Sequence, residues 1–213
     1  MRSLANKLVL ASHGASIESI GSTGVKAGDI AIKGTGSAMR TGYDDTQPNW
    51  VQISKQLGGQ WNGPTTPQYH HWAGLYYRIL QTDGENIDIT HDRSPASTQI
   101  VYRMNKPIAS VSATEVAGNN YIQTRTFNDP NDSSDAYIAV DFVNFWNPPL
   151  EGNFRSTNVQ PDHLGYAGNY TGRGVYAKGY LTGAGVSITN SGGHNEYNGS
   201  LHPSIKTILK LYT

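Results

Sequence analysis

The sequence predicts an all-β protein, a β-sandwich or jelly roll led by an extended glycine-rich N-terminal arm. Three observations carry that expectation. Apolar and polar residues alternate with period two over many short segments, which Gly, Pro, Asn and Asp separate at intervals of roughly ten residues. Helical periodicity is nearly absent, since only Leu4–Leu10, with Ser3 as an N-cap, and Trp50–Leu57 fit a helical turn. Charged residues make up 15% of the chain, and Gly, Ser, Thr and Asn fill the gap beside 13 Tyr and 4 Trp. Disordered chains show the opposite bias, high net charge and few aromatics. This composition suits short strands, many turns and uncharged surfaces.

In chain order, residues 1–47 are poor in large side chains and hold the runs Gly21-Ser22-Thr23-Gly24 and Gly34-Thr35-Gly36, with a short alternating strand over Ala27–Lys33 between them. So little apolar surface cannot support an independent core. This segment is expected to be an extended arm packed on something else, and residues 48–213 the β domain. Strands are expected at Trp50–Ile53, Ala73–Gln81, Asn86–Thr90 and Gln99–Met104, with a turn at Asp83-Gly84. Ile108–Val116 and Tyr121–Phe127 alternate, and Tyr137–Trp146 is the most apolar run and the expected central strand. Asn153–Asp162 reads as loop, and Tyr166–Leu181 as one or two twisted strands. The tail from Pro203 to Tyr212 alternates again and reads as a terminal strand that fixes that end in a sheet.

The formal net charge is +0 and the pI about 7.1, with no basic run. That balance argues against electrostatic capture of nucleic acid and against polybasic attachment to a membrane. No stretch approaches the ~20 apolar residues of a membrane span. The apolar run Leu8–Ala11 is too short for the core of a signal peptide. There is no cysteine, hence no disulfide framework and no thiolate metal site.

Each motif with chemical content has a plain structural counterpart. His70 and His71 are adjacent, and neighbours on a strand point to opposite sides, so they do not readily share one metal ion. Asp129–Asp135 and Asp83–Asp88 are dense in oxygen like calcium loops, yet neither has EF-hand spacing, and such runs commonly satisfy their own backbone. His91-Asp92 beside Ser94 or Ser97 lacks the Gly-x-Ser-x-Gly elbow of a hydrolase. The glycine clusters around Gly172-Arg173-Gly174 lack the closing Lys-Ser/Thr of a phosphate loop. No catalytic residue, metal site or cofactor is assigned. The aromatics divide between core, expected for Trp72 and Trp146, and contact surface. Trp50, Trp61 and Tyr69 lie among Gly, Gln, Asn and Pro, and with His194 and Tyr197 in the polar loop Gly192–Gly199 they are the candidates for touching a partner or stacking on a sugar ring.

The segment Thr182-Gly183-Ala184-Gly185-Val186-Ser187-Ile188-Thr189-Asn190-Ser191-Gly192-Gly193, followed by His202-Pro203-Ser204-Ile205 and a final strand of Ile, Leu and Lys, resembles the ends of bacteriophage tail-fibre and tail-collar proteins. The resemblance is confined to this region and has no counterpart in residues 1–170. It lacks the His-x-His iron site frequent in that family, so no metal is carried over. It implies a non-enzymatic subunit of a virus particle (a tail fibre, receptor-binding or capsid-decorating protein). Such a subunit would be a trimer, with other virion proteins and a host surface glycan as partners and no nucleic-acid binding or membrane insertion. The alternative, from the aromatics, is a secreted carbohydrate-binding module or lectin.

Overall fold

A computed structural model describes residues 9–15, 24–40, 49–61, 69–87, 96–118, 124–127, 135–145, 154–156, 163–167, 171–179, 186–190 and 204–213. Among these residues the regular structure is all strand, in antiparallel sheets, with no helix. The strands in chain order are β1 (Val9–Ala15), β2 (Ile30–Arg40), β3 (Val51–Trp61), β4 (Tyr69–Ile79), β5 (Ala96–Arg103), β6 (Ser110–Gly118), β7 (Thr124–Phe127), β8 (Ala136–Phe145), β9 (Phe154–Ser156), β10 (His163–Ala167), β11 (Thr171–Gly179), β12 (Val186–Asn190) and β13 (Ser204–Tyr212). They form one five-stranded sheet in the order β1-β5-β2-β4-β3 and a second in the order β10-β11-β8-β13-β6. A small third sheet has the order β7-β12-β9.

The pleat explains how the two large sheets meet. Successive side chains on a strand point to opposite faces. In β2, Ile30 and Ile32 join Ala73 and Leu75 of β4 and Ile100 and Tyr102 of β5 in the main core. From the second sheet come Ala136, Ile138, Val140 and Phe142 of β8 and Ile205, Leu209 and Leu211 of β13, every second residue in each run apart from Thr207. Met104 and Ile108 close this core at the crossing from the first sheet to the second. Strands of the two sheets oppose one another in matching order: β1 meets β10, β5 meets β10 and β11, β2 meets β11 and β8, β4 meets β8 and β13, and β3 meets β13 and β6. Fully burying one such aliphatic side chain contributes about 1.5–3 kcal/mol, so these residues dominate the stability of the contact.

A smaller core lies on the other side of the first sheet. There Ala31 and Val101, the alternate residues of β2 and β5, pack with Val25, Leu80 and Ile87, and Trp50 lies partly buried against them. The turn at Asp83-Gly84 sits above this cluster, with Gly84 at φ 68° and its amide donating to Val25 O at 2.9 Å.

The terminal strand is as expected, and it is an inner one. β13 runs between β8 and β6. Both its sides are covered, because Lys206, Ile208 and Lys210 are buried as well as Ile205, Leu209 and Leu211. β8 is the middle strand of its sheet, in keeping with its apolar sequence.

Several expectations are corrected. Where the proposed arm is described it is sheet: β1 is hydrogen-bonded to β5, and β2 lies between β5 and β4. Its glycines make close packing feasible, since Gly34 faces the Phe142 ring so closely that a Cβ there would stand 2.1 Å from Cδ2. Trp50–Leu57 holds no helical turn, because β3 begins at Val51 and pairs with β4 from Val51 to Trp61 with two bulges. Val9 and Leu10, at the end of the other helix candidate, belong to β1. Asn86 and Ile87 are loop, with Ile87 buried as an anchor. Phe154–Ser156, expected as loop, is the edge strand β9.

Candidate functional site

Of the aromatic candidates, Trp61 and Tyr69 lie on the hairpin of β3 and β4, at the edge of the first sheet, and Trp50 immediately precedes β3. Its register runs from Val51↔Tyr77 to Gln60↔His70 and Trp61↔Tyr69. Two register shifts, between Gln52 and Ser54 and between Leu57 and Gln60, interrupt the ladder. Bulges of this kind bend a strand and blunt an open edge against unwanted pairing.

Trp61 and Tyr69 are thereby register partners at the far end of the hairpin, and the segment 62–68 that joins them lies outside the described residues. Trp50 stands at the opposite end of β3. The 11 residues of that strand span roughly 30 Å at about 3.3 Å per residue, so Trp50 does not share a platform with Trp61 and Tyr69. Trp50 is instead half-buried against the smaller core, next to Asn49 in the left-handed region at φ 69°. His194 and Tyr197 fall outside the described residues. His70 and His71 are consecutive residues of β4, opposite Met39 and Ala38 of β2.

A second aromatic row follows along β4. Trp72, Gly74 and Tyr76 alternate, which places them on one side of the sheet. Tyr76 lies over Gly74, where a Cβ would meet its ring at 2.7 Å and Trp72 at 3.0 Å. Lys55 of β3, the register partner of Gly74, holds its Nζ 5.5 Å from the Trp72 ring centroid. This cation–π contact fixes the lysine against the sheet. Trp72 and Tyr76 are almost fully buried, as expected for Trp72. The pattern aromatic-x-Gly-x-aromatic was legible in the sequence, whereas the place of Lys55 depended on the register of the hairpin.

Of the acidic residues that suggested calcium, Asp83, Glu85 and Asp135 are described, and each is engaged by the protein, while Asp88 lies outside the described residues. Asp83 Oδ1 accepts from the Ala27 amide at 2.9 Å. Glu85 Oε2 accepts from the amides of Gln81 and Thr82 at 2.6 and 3.1 Å, and Glu85 forms an ion pair with Arg78. Asp135 Oδ2 accepts from the amide and hydroxyl of Thr213 at 2.9 and 3.0 Å. Residues 128–134 lie outside the described residues. Among the described residues no group of three or more His, Asp or Glu is placed to hold a metal ion.

Another electrostatic feature among the described residues is not legible in the sequence because its partners lie far apart in the chain. Arg103 grips Asp29 with two parallel hydrogen bonds of 2.8 Å, from Nε to Oδ1 and from a terminal nitrogen to Oδ2. Asp29 is buried, and its Oδ2 also accepts from the Lys26 amide at 2.8 Å, while Arg103 donates to Gly24 O at 2.6 Å. The hydrogen bond to Asp29 holds the Arg103 guanidinium above its already high ordinary pKa, against a smaller opposing effect of desolvation. Bidentate pairs of this kind are geometrically specific. This one ties the 24–29 loop to the end of β5.

Compared with known proteins, the chain matches no protein-family model, no curated protein and no solved structure.

Proposed function

We propose that the chain is a non-enzymatic structural component of a virus particle, a tail-fibre, receptor-binding or capsid-decorating subunit that works through assembly contacts. In this reading the two large sheets are the layers of a β-sandwich, the subunits form a homotrimer in the virion, and neighbouring virion proteins and a host surface glycan are the partners. The observation that carries it is the enclosure of β13: the final strand that closes the tail-fibre-like region is held between β8 and β6 with both faces buried. A strand fixed in that way transmits force without fraying, which suits a part that is held and pulled. The low charge supports the reading, because a surface with little net charge tends to associate. Light scattering after size-exclusion chromatography tests it, with three times the 23.1 kDa chain mass expected. A monomer at every accessible concentration would overturn the assembly reading.

The second reading is a carbohydrate-binding module. The register pairing of Trp61 with Tyr69 favours it, because it brings two aromatic residues to one position of the hairpin, and aromatic residues are the ones that stack on sugars. Binding on a glycan array that Trp61→Ala abolishes is the expected result. Glycan binding that survives Trp61→Ala sinks this site.

A further inference from the structure

The side of the first sheet that faces away from the main core carries an unusual set of buried polar residues. Lys33 and Thr35 of β2 and Gln99 of β5 are each at least nine-tenths buried there, beside Tyr76. Lys33 pairs in register with Gln99, and Thr35 with Ser97, so Thr35 and Gln99 are diagonal neighbours on adjacent strands. Diagonal neighbours stand about 7–8 Å apart at the backbone, with their side chains somewhat closer. Thr35 Oγ1 and Gln99 Oε1 have no hydrogen-bond partner in the protein. A buried polar atom left in that state is costly, and native proteins rarely tolerate two together.

We propose that Thr35 and Gln99 hold one buried water molecule, which donates one hydrogen to Thr35 Oγ1 and the other to Gln99 Oε1. The chemistry fits both partners. A carbonyl oxygen such as Oε1 can only accept, a hydroxyl oxygen has lone pairs to accept with, and water supplies two donors. Buried waters characteristically serve groups that the protein leaves unsatisfied. The water would cross-link β2 and β5 through their side chains, just where Gly34 and Gly36 leave β2 without side chains on its other face.

A double-mutant cycle on the full chain tests this, using Thr35→Val, Gln99→Met and the pair, read by urea unfolding. Thr35→Val keeps the shape and removes the hydroxyl. The expected result is a folded-to-unfolded ratio about 5–30-fold lower, because the water and Gln99 lose a partner. The double variant should lose clearly less than the product of the two single losses, since both report on one shared molecule. A Thr35→Val protein that is more stable than the parent would mean that the hydroxyl was truly orphaned, and would overturn the proposal. Independent, multiplicative losses would do the same. A crystal structure at high resolution provides the second readout. A water within hydrogen-bond distance of both oxygens is expected, and a Gln99 amide turned to donate directly to Thr35 would refute it.

Discussion

Gly34 and Gly28 show what a missing Cβ does at two places in this protein. At Gly34 the Phe142 ring of the opposing sheet occupies the space a side chain would need. Gly34→Ala should therefore cost about 1–3 kcal/mol, the usual range for overpacking, in urea unfolding. Phe142→Leu in the same chain should recover part of the loss by making room. At Gly28 two constraints coincide: φ is 84°, and a Cβ would stand 2.6 Å from that of Pro107. Gly28 also joins three segments, since its amide donates to Leu80 O at 2.8 Å and its carbonyl accepts from Ile108 N at 3.1 Å. Gly84 has φ 68° and nothing within 4 Å of the Cβ position. Gly84→Ala should then cost only the left-handed backbone term, about 1–2 kcal/mol, and Gly28→Ala distinctly more. Equal losses would show that Pro107 moves away freely.

At the scale of elements, the loops at one end of the first sheet are locked by charge and by a small apolar cluster together. Among the described residues, Arg103→Met leaves the buried Asp29 carboxylate the Lys26 amide as its hydrogen-bond donor. Breaking a buried pair from one side costs about 3–5 kcal/mol, and the Arg103 side chain is 35% exposed, so the lower end of that range or less is expected. Asp29→Asn with Arg103→Met should lose less than the two changes summed. The pH dependence follows from the direction of the shift. A base whose pKa is raised on folding gives its full stabilisation below the pKa of the unfolded chain, and loses it only as pH rises through the folded value. Arginine titrates far above neutrality, so this contribution should stay flat from pH ~6 to ~10. A loss of stability between those limits that Arg103→Met removes would contradict that sign.

For the whole molecule, the inner position of β13 has the largest consequence. Removing residues 204–213 would leave β8 and β6 without their shared neighbour and open the main core at Ile205, Leu209 and Leu211. The truncated chain should lose cooperative unfolding altogether and expose strand edges that associate. A soluble chain that still unfolds in one sharp transition would show that the first sheet folds without the second. Strands of this topology pair mostly between distant segments, as β2 does with β5 and β13 with β6, so slow folding is expected by comparison with helical chains.

The sequence alone determined that the clearly alternating segments are extended. Period-two alternation in Ile108–Val116, in Tyr137–Trp146 and in the tail from Pro203 becomes β6, β8 and β13, because a strand with a buried face writes that face into every second residue. It also located the turn at Asp83-Gly84, where glycine is the residue that accepts a positive φ without strain. Only the tertiary structure decided which strands are neighbours. The glycine-rich run Gly34-Thr35-Gly36 reads as part of an extended arm by composition, and its close packing as a strand between β4 and β5 depends on Phe142 of the opposing sheet, which fills the gap that Gly34 leaves. The separation of Trp50 from Trp61 and Tyr69, and the grip of Arg103 on Asp29, have the same origin. Alternation reports burial against an unnamed surface, while register and long-range pairing depend on which surface that is, and one strand's sequence does not contain it.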